Sequence, residues 1–290
     1  MSDVRSPLVV AHGLRRTFQP GGRRDPVVAV DDVSFEIEAG GSLGLVGESG
    51  SGKSTIARIL AGLERADAGS LTLGGADRLV RSRGRQARLE RARQVQMVFQ
   101  DPYGSLDRRL TVEQTLMHAM RLHGMATRAE APARVAELLD RVRLAAKHGT
   151  LKPHQLSGGQ RQRVAIARAI AVAPSVLVLD EAVSALDVSV QAQILELLGE
   201  IRRDSGIALL FVSHDLAVVD EVTDRTLVLF HGGVVEEGTT HDVLRAPQHA
   251  YTRLLVSSVA GPGWDPHEVI GRRSAFERSR ETFRPDEARG

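Results

Sequence analysis

Several residue types and features are scarce or missing in this chain of 290 residues. It contains no cysteine, which excludes disulfides, thiolate metal sites and cysteine-ligated iron–sulfur clusters. No apolar run approaches the roughly 18 residues that a membrane-spanning helix needs, so the sequence predicts no such helix. The first residues lack the basic-then-apolar layout of a secretory signal, and we expect none. The net charge is only +2, so composition does not indicate a nucleic-acid partner.

Lysine is also scarce, whereas arginine is abundant. The chain has lysine only at Lys53, Lys147 and Lys152. Lys53 lies inside a glycine-rich loop, where a flexible point charge suits phosphate better than a planar guanidinium fork does. In a chain that otherwise uses arginine, this position therefore indicates a phosphate-binding lysine.

The loop around Lys53 has the sequence context of a phosphate-binding loop. An apolar run at 42–46 precedes it and helical periodicity follows from Lys53 to Leu63. Glycines allow successive N–H groups to face inward at a helix start, whose dipole favours anions. We expect Lys53 to neutralise the β- and γ-phosphates and Ser54 to bind Mg²⁺; an ordinary glycine turn is the alternative. The residues predicted to bind the nucleotide are Gly47, Glu48, Ser49, Gly50, Ser51, Gly52, Lys53, Ser54 and Thr55.

Two acidic residues follow a second buried strand. Asp180 ends the apolar run Val176–Leu179, which would bring its carboxylate to the ligand-binding edge of an open α/β sheet. We expect Asp180 to hold Mg²⁺ and Glu181 to act as the general base for the attacking water. An isolated Asp-Glu pair would be read as a solvated strand end, but here it accompanies a phosphate loop.

Gln100 and His214 also follow predicted strands, at 95–99 and 208–212. Taken alone, each would be an ordinary surface or core residue. Their positions predict that both emerge at the same sheet edge as Asp180. There His214 would bond the γ-phosphate, and Gln100 would contact Mg²⁺ or water.

The remaining pattern predicts an α/β chain. Strands at 27–30, 33–37 and 69–75 are followed by helical periodicity from 111 to 171 and then by alternating strands and helices. Such alternation predicts a parallel sheet with crossover helices. The arginine-rich stretch at 78–93 is read as a solvated helix face, with a site for an acidic partner as the alternative. The tail beyond about Gly261 has the composition of a partly disordered segment.

Together with Leu156-Ser157-Gly158-Gly159-Gln160 and Ser184-Ala185-Leu186-Asp187, these motifs resemble those of the ATP-binding cassette (ABC) ATPases in order and spacing. The resemblance implies a P-loop NTPase fold with a RecA-like core, an antiparallel β subdomain and an all-helical signature subdomain. It implies an ATPase domain over 1–260, its helical subdomain at about 104–172, and a C-terminal extension over 261–290.

The same resemblance implies roles for further residues. ABC domains pair head to tail, so those expected to complete the partner's ATP site are Ser157, Gly158, Gly159 and Gln160. A serine hydroxyl and glycine N–H groups at a helix start agree with this role, because they form an anion site. Asp187 is expected beside the nucleotide. Phe18 matches the aromatic that stacks on adenine, with core packing as the alternative.

Three segments narrow the resemblance to the ATPases of dipeptide, oligopeptide and nickel importers, and to the second of their two ATPases. They are residues 100–107, 183–189 and 247–252. The implied function is hydrolysis of ATP with Mg²⁺ at the cytoplasmic face of the plasma membrane. The implied partners are a second, homologous ATPase, two permeases and an extracytoplasmic solute-binding protein.

The chain departs from that subfamily at three positions that usually carry proline, namely Ala182, Arg108 and Ala250. None of them is an expected ligand or base. The cargo stays open among peptide, nickel, opine and glutathione-like solutes. The alternative function is that of an ABC ATPase outside transport, such as a carbon–phosphorus-lyase accessory protein.

Overall fold

The computed structural model describes residues 7–19, 25–80 and 83–258, which form two sheets and the helices around them. The strands are β1 (Pro7–Phe18), β2 (Val27–Glu38), β3 (Ser42–Val46), β4 (Ala68–Leu73), β5 (Ala76–Asp77), β6 (Val95–Val98), β7 (Val176–Asp180), β8 (Ala208–Val212), β9 (Arg225–Phe230) and β10 (Gly233–Thr239). The α-helices are α1 (Lys53–Leu60), α2 (Arg85–Gln94), α3 (Pro102–Ser105), α4 (Val112–Leu122), α5 (Ala131–Arg141), α6 (Gly158–Ile170), α7 (Val188–Ser205), α8 (Leu216–Val222), α9 (Thr240–Arg245) and α10 (Ala250–Ser257). Two short 3₁₀ helices, Ala146–Thr150 and Pro153–Gln155, lie between α5 and α6.

The larger sheet carries the predicted crossover topology. Its six strands run in the order β10-β9-β3-β8-β7-β6, and every pair is parallel except β10 with β9. The smaller sheet has the order β2-β1-β4-β5, with antiparallel pairs. The prediction of an α/β fold with an antiparallel β part is thereby confirmed.

The central strands form where the sequence has short, continuous apolar runs. All five residues of β3, β7 and β8 are buried, as expected for parallel strands covered on both faces. Successive residues of β7 enter different clusters: Val176 and Val178 pack with the small sheet and α1, whereas Leu177 and Leu179 pack with helices α4 to α7. The helical segment thus shares one continuous buried cluster with the sheet.

Three strands were not predicted: β1, the two-residue strand β5, and β10. Phe18, which the sequence placed just before the first strands, is the last residue of β1. Register shifts break the pairing of β1 with β2, and this irregularity hides the two-residue alternation of a strand. Of the other two, β5 has only two residues, and both are exposed. β10 lies at the sheet edge and is largely half-buried, so its sequence carries little apolar pattern.

The arginine-rich stretch is a solvated helix face where it forms α2, since that helix buries no residue. Arg78, which precedes α2, is instead buried. Within the described ranges, no helix is both long enough and apolar enough to cross a membrane. The predicted disordered tail at 261–290 lies outside the described residues.

Candidate functional site

The glycine-rich loop connects β3 to α1, in the strand–loop–helix order that the sequence predicted. Gly47 and Gly52 have φ angles of 148° and 101°, which favour glycine. A methyl group on Gly47 would overlap the Leu229 carbonyl, and one on Gly52 would overlap the Ala29 carbonyl. The backbone of the loop is therefore packed directly against two neighbouring strands, and side chains at these two positions would displace it.

Lys53 begins α1 and is only 5% exposed. Its ammonium group lies 2.7 Å from the carbonyl oxygens of both Gly47 and Glu48 and 3.4 Å from Ser51 Oγ. Burial lowers the pKa of Lys53, and the charge of Glu181 opposes that shift most strongly. The loop backbone thus surrounds a desolvated ammonium group, which is the arrangement needed to neutralise phosphate charge.

Ser54 and Asp180 meet although they are distant in sequence. The Ser54 hydroxyl donates to Asp180 Oδ1 at 2.8 Å, and Asp180 is 6% exposed at the end of β7. Burial raises the pKa of Asp180, against the hydrogen bond from Ser54. Two hard oxygen donors at the mouth of the loop fit Mg²⁺, which binds proteins through one or two carboxylates together with phosphate oxygens.

Glu181 lies next to Gln100 and His214. Gln100 Nε2 donates to Glu181 Oε2 at 2.9 Å, and His214 Nδ1 lies 3.5 Å from Glu181 Oε1. The Glu181 backbone has a φ of 49°, an uncommon conformation for a residue with a side chain. Such strained positions persist only where the surrounding structure holds them, and they are frequent at functional sites. The structure thus brings together the side chains that sequence analysis assigned to catalysis.

The signature residues lie at the start of α6. Ser157 is the exposed N-cap: its hydroxyl accepts the Gln160 N–H at 3.3 Å, while Gln160 Oε1 accepts the Ser157 N–H at 2.9 Å. The spacing Ser-x-x-Gln is readable in the sequence as a capping box, a signal that the motif assignment did not use. A methyl group on Gly159 would overlap Val190 Cγ1, and one on Gly158 would lie 3.6 Å from Leu186. The motif therefore packs against α7 and the segment before it.

The structure also places three other residues that the sequence predicts beside the nucleotide, namely Asp187, Thr55 and Phe18. Asp187 is the N-cap of α7 and accepts the Val190 N–H at 2.9 Å. Thr55 is the third residue of α1 and is half-buried. Phe18 is half-buried, pairs with Val27, and has the Arg16 guanidinium 4.7 Å from its ring centroid.

Tyr251 on α10 also contacts the loop, and sequence analysis assigned it no role. The Glu48 N–H donates to the Tyr251 hydroxyl at 3.0 Å, across 203 positions of sequence. The sequence marks residues 247–252 as a motif, but nothing in that segment indicates that its tyrosine contacts the phosphate loop.

The chain matches a known family and known sequences. The model of the family described as "ABC transporter" matches residues 30–184. The chain is similar to the glutathione import ATP-binding protein GsiA of Pectobacterium atrosepticum, with 50% identity over 241 residues, 83% of this chain and 38% of the relative. GsiA of Escherichia coli K12 is 48% identical over 233 residues, 80% of this chain and 37% of the relative. The chain thus spans less than two fifths of the length of these relatives.

Solved structures are similar as well. The dimeric, post-hydrolysis structure of the ATP-binding cassette MJ0796 with ADP and Pi has a TM-score of 0.72 at 28% identity, covering 80% of this chain and 98% of that one. CbiO1 of Clostridium perfringens, part of an ABC transporter complex, has a TM-score of 0.72 at 25% identity, covering 83% and 91%. The cassette fold therefore extends over most of the chain.

Proposed function

The chain belongs to the ABC transporter family, and from that premise we propose that it is the ATP-hydrolysing subunit of a peptide-type importer. The observation that carries the ATPase part is the convergence of Lys53, Ser54, Asp180 and Glu181 at one edge of the sheet. These groups supply a phosphate cation, two metal ligands and a base, which together are the requirements of phosphoryl transfer to water.

Glu181 takes the proton from the attacking water. The water oxygen forms a bond to the γ-phosphorus as the bond to the β,γ-bridging oxygen breaks, and ADP and phosphate are released. Gln100 orients the Glu181 carboxylate through the 2.9 Å hydrogen bond. His214 lies 3.5 Å from the other carboxylate oxygen and is the residue proposed to bond the γ-phosphate. Lys53 holds its positive charge among the loop carbonyls, where it offsets the phosphate charge.

Mg²⁺ would be held by the Ser54 hydroxyl and the Asp180 carboxylate, and Gln100 would be a further contact. When bound, the ion neutralises phosphate charge as the leaving group develops. Burial raises the pKa of Asp180, although the positive charges of Arg58 and Lys53 favour its charged form. A bound divalent ion would therefore stabilise the charged form of this side chain.

The site is completed by a second copy of the cassette, of the same or a homologous chain. Ser157 caps α6, and Gly158, Gly159 and Gln160 form its first turn. Their contacts are within this turn, with α7 and the segment before it, and between Gln160 and His148 at 3.2 Å. An exposed helix N-terminus of this kind offers N–H groups to an anion approaching from outside. We propose that this anion is the ATP bound to the partner ATPase, in a head-to-tail dimer.

The import part rests on similarity to GsiA over four fifths or more of this chain. By this proposal, the chain binds two permeases at the cytoplasmic face of the plasma membrane, and an extracytoplasmic protein delivers the solute. A glutathione-like or peptide solute is favoured because the relatives are named for glutathione import.

Purification of the tagged chain from its native membranes tests this function. We expect two multi-span permeases and a second ATPase to copurify, and ATP turnover to rise when loaded binding protein is added. Copurification with enzymes of phosphonate breakdown, and without permeases, would favour the carbon–phosphorus-lyase accessory role instead.

A further inference from the structure

The contact between α10 and the phosphate loop has no role in the mechanism proposed above. Tyr251 is 1% exposed, and its hydroxyl accepts the backbone N–H of Glu48, the second residue of the loop. The carbonyl of the same residue accepts Lys53 Nζ at 2.7 Å and the Ser51 N–H at 3.2 Å. Both backbone groups of Glu48 are thus fixed, one by α10 and the other from within the loop.

The Tyr251 side chain is itself held on two sides. Its ring packs on Phe230 at the end of β9, with centroids 4.3 Å apart. The N–H groups that precede it, at Gln248 and His249, both donate to the carboxylate of Glu236 on β10, at 2.7 and 2.9 Å. By accepting these two hydrogen bonds, the Glu236 carboxylate fixes the start of α10 against the sheet edge. The position of the Tyr251 hydroxyl beside the loop is therefore held by packing on β9 and by hydrogen bonds to β10.

We propose that Tyr251 is a positioning residue for the phosphate loop, which holds the Glu48 end of the loop in the conformation that receives nucleotide. This inference rests on the proposed ATP-binding function. Lys53 serves the phosphates as well as the Glu48 carbonyl, so nucleotide binding competes for that contact. The Tyr251 hydroxyl accepts the N–H of the same residue, a contact that does not involve Lys53.

The size of the effect follows from the loss of one hydrogen bond. Without the hydroxyl, the Glu48 N–H loses this acceptor, and loop conformations that cannot bind phosphate become populated. The apparent affinity falls in proportion to the competent fraction. For one neutral hydrogen bond, we expect the Kd to rise about two- to tenfold.

Tyr251→Phe in the full chain tests the proposal, because it removes the acceptor and keeps the ring on Phe230. The matched control is Ser257→Ala, which removes a hydroxyl on the same helix that donates to the Leu254 carbonyl. Binding of a fluorescent ATP analogue and hydrogen exchange of the Glu48 amide are measured for both. We expect weaker binding and faster Glu48 exchange in Tyr251→Phe, with both values unchanged in Ser257→Ala.

An unchanged Kd in folded Tyr251→Phe would overturn the proposal while leaving the proposed function intact. Failure of the wild-type chain to bind the analogue would instead overturn the proposed function. If Tyr251→Phe lowers the melting temperature, the pattern of hydrogen exchange distinguishes a positioning role from a merely structural one. Acceleration confined to residues 47–51 supports positioning, whereas equal acceleration across β3 and β8 shows a merely structural role and overturns it.

Discussion

Replacing Glu181 by glutamine separates nucleotide binding from hydrolysis at this site. The amide keeps an oxygen that can accept the 2.9 Å hydrogen bond from Gln100, so the local packing is conserved. It cannot take a proton from water, and general-base catalysis contributes about 10²- to 10⁴-fold to a rate. Turnover should fall by that factor, equivalent to about 3–5 kcal/mol of activation free energy.

The affinity of Glu181→Gln for nucleotide should not fall together with its turnover. Glu181 is the carboxylate that most strongly raises the pKa of the buried Lys53 ammonium, so it contributes negative charge close to the phosphate site. Its removal reduces repulsion toward phosphates, and the Kd for ATP should stay equal or decrease. Phosphate release by the assembled complex and equilibrium binding by the chain measure the two quantities separately.

The control for this variant is Glu196→Gln, which neutralises an exposed carboxylate paired with Arg143 at 2.6 Å. Exposed ion pairs contribute about 0–1 kcal/mol, so stability and turnover should be nearly those of the wild type. Turnover of Glu181→Gln within threefold of the wild type would exclude Glu181 as the base. Loss of affinity as large as the loss of turnover would show that the substitution damages the loop instead.

Two further substitutions test the metal ligands and the packing of the signature motif. Asp180→Asn keeps the shape of the Ser54 partner but removes its charge, so a titration of turnover against Mg²⁺ should need at least about tenfold more ion; an unchanged titration would exclude Asp180 as a ligand. Gly159→Ala places a methyl group against the stiff Val190 side chain and should lower unfolding stability by about 1–3 kcal/mol in urea. Val190→Ala in the same chain should restore most of that loss, and failure to do so would contradict the packing argument.

The sequence was sufficient for the parts of the fold that rest on strong local patterns. Continuous apolar runs such as Val176–Leu179 identified buried parallel strands, and residues directly after them could be placed at one sheet edge. The meeting of Glu181 with Gln100 and His214 follows from that geometry alone. This proximity can be predicted without knowledge of side-chain packing.

Other features depend on contacts that no local pattern encodes. The bulged pairing of β1 and the half-buried edge strand β10 lack clean periodicity, so both were missed. The hydrogen bond from Glu48 to Tyr251 joins residues 203 positions apart, and nothing in either segment specifies the other. Such contacts are set by where α10 packs, which is a property of the whole fold.

The most direct test of the account compares two variants of the isolated chain in equilibrium binding of a fluorescent ATP analogue. Lys53→Ala removes the cation held by the Gly47 and Glu48 carbonyls and should abolish or greatly weaken binding. Ser157→Arg alters an exposed residue at the start of α6, which is proposed to face the partner's nucleotide, and should leave binding nearly unchanged. In the assembled complex, both variants should impair turnover. Equal loss of binding in the two isolated variants would show that Ser157 acts on its own chain's nucleotide, and would contradict the head-to-tail composite site.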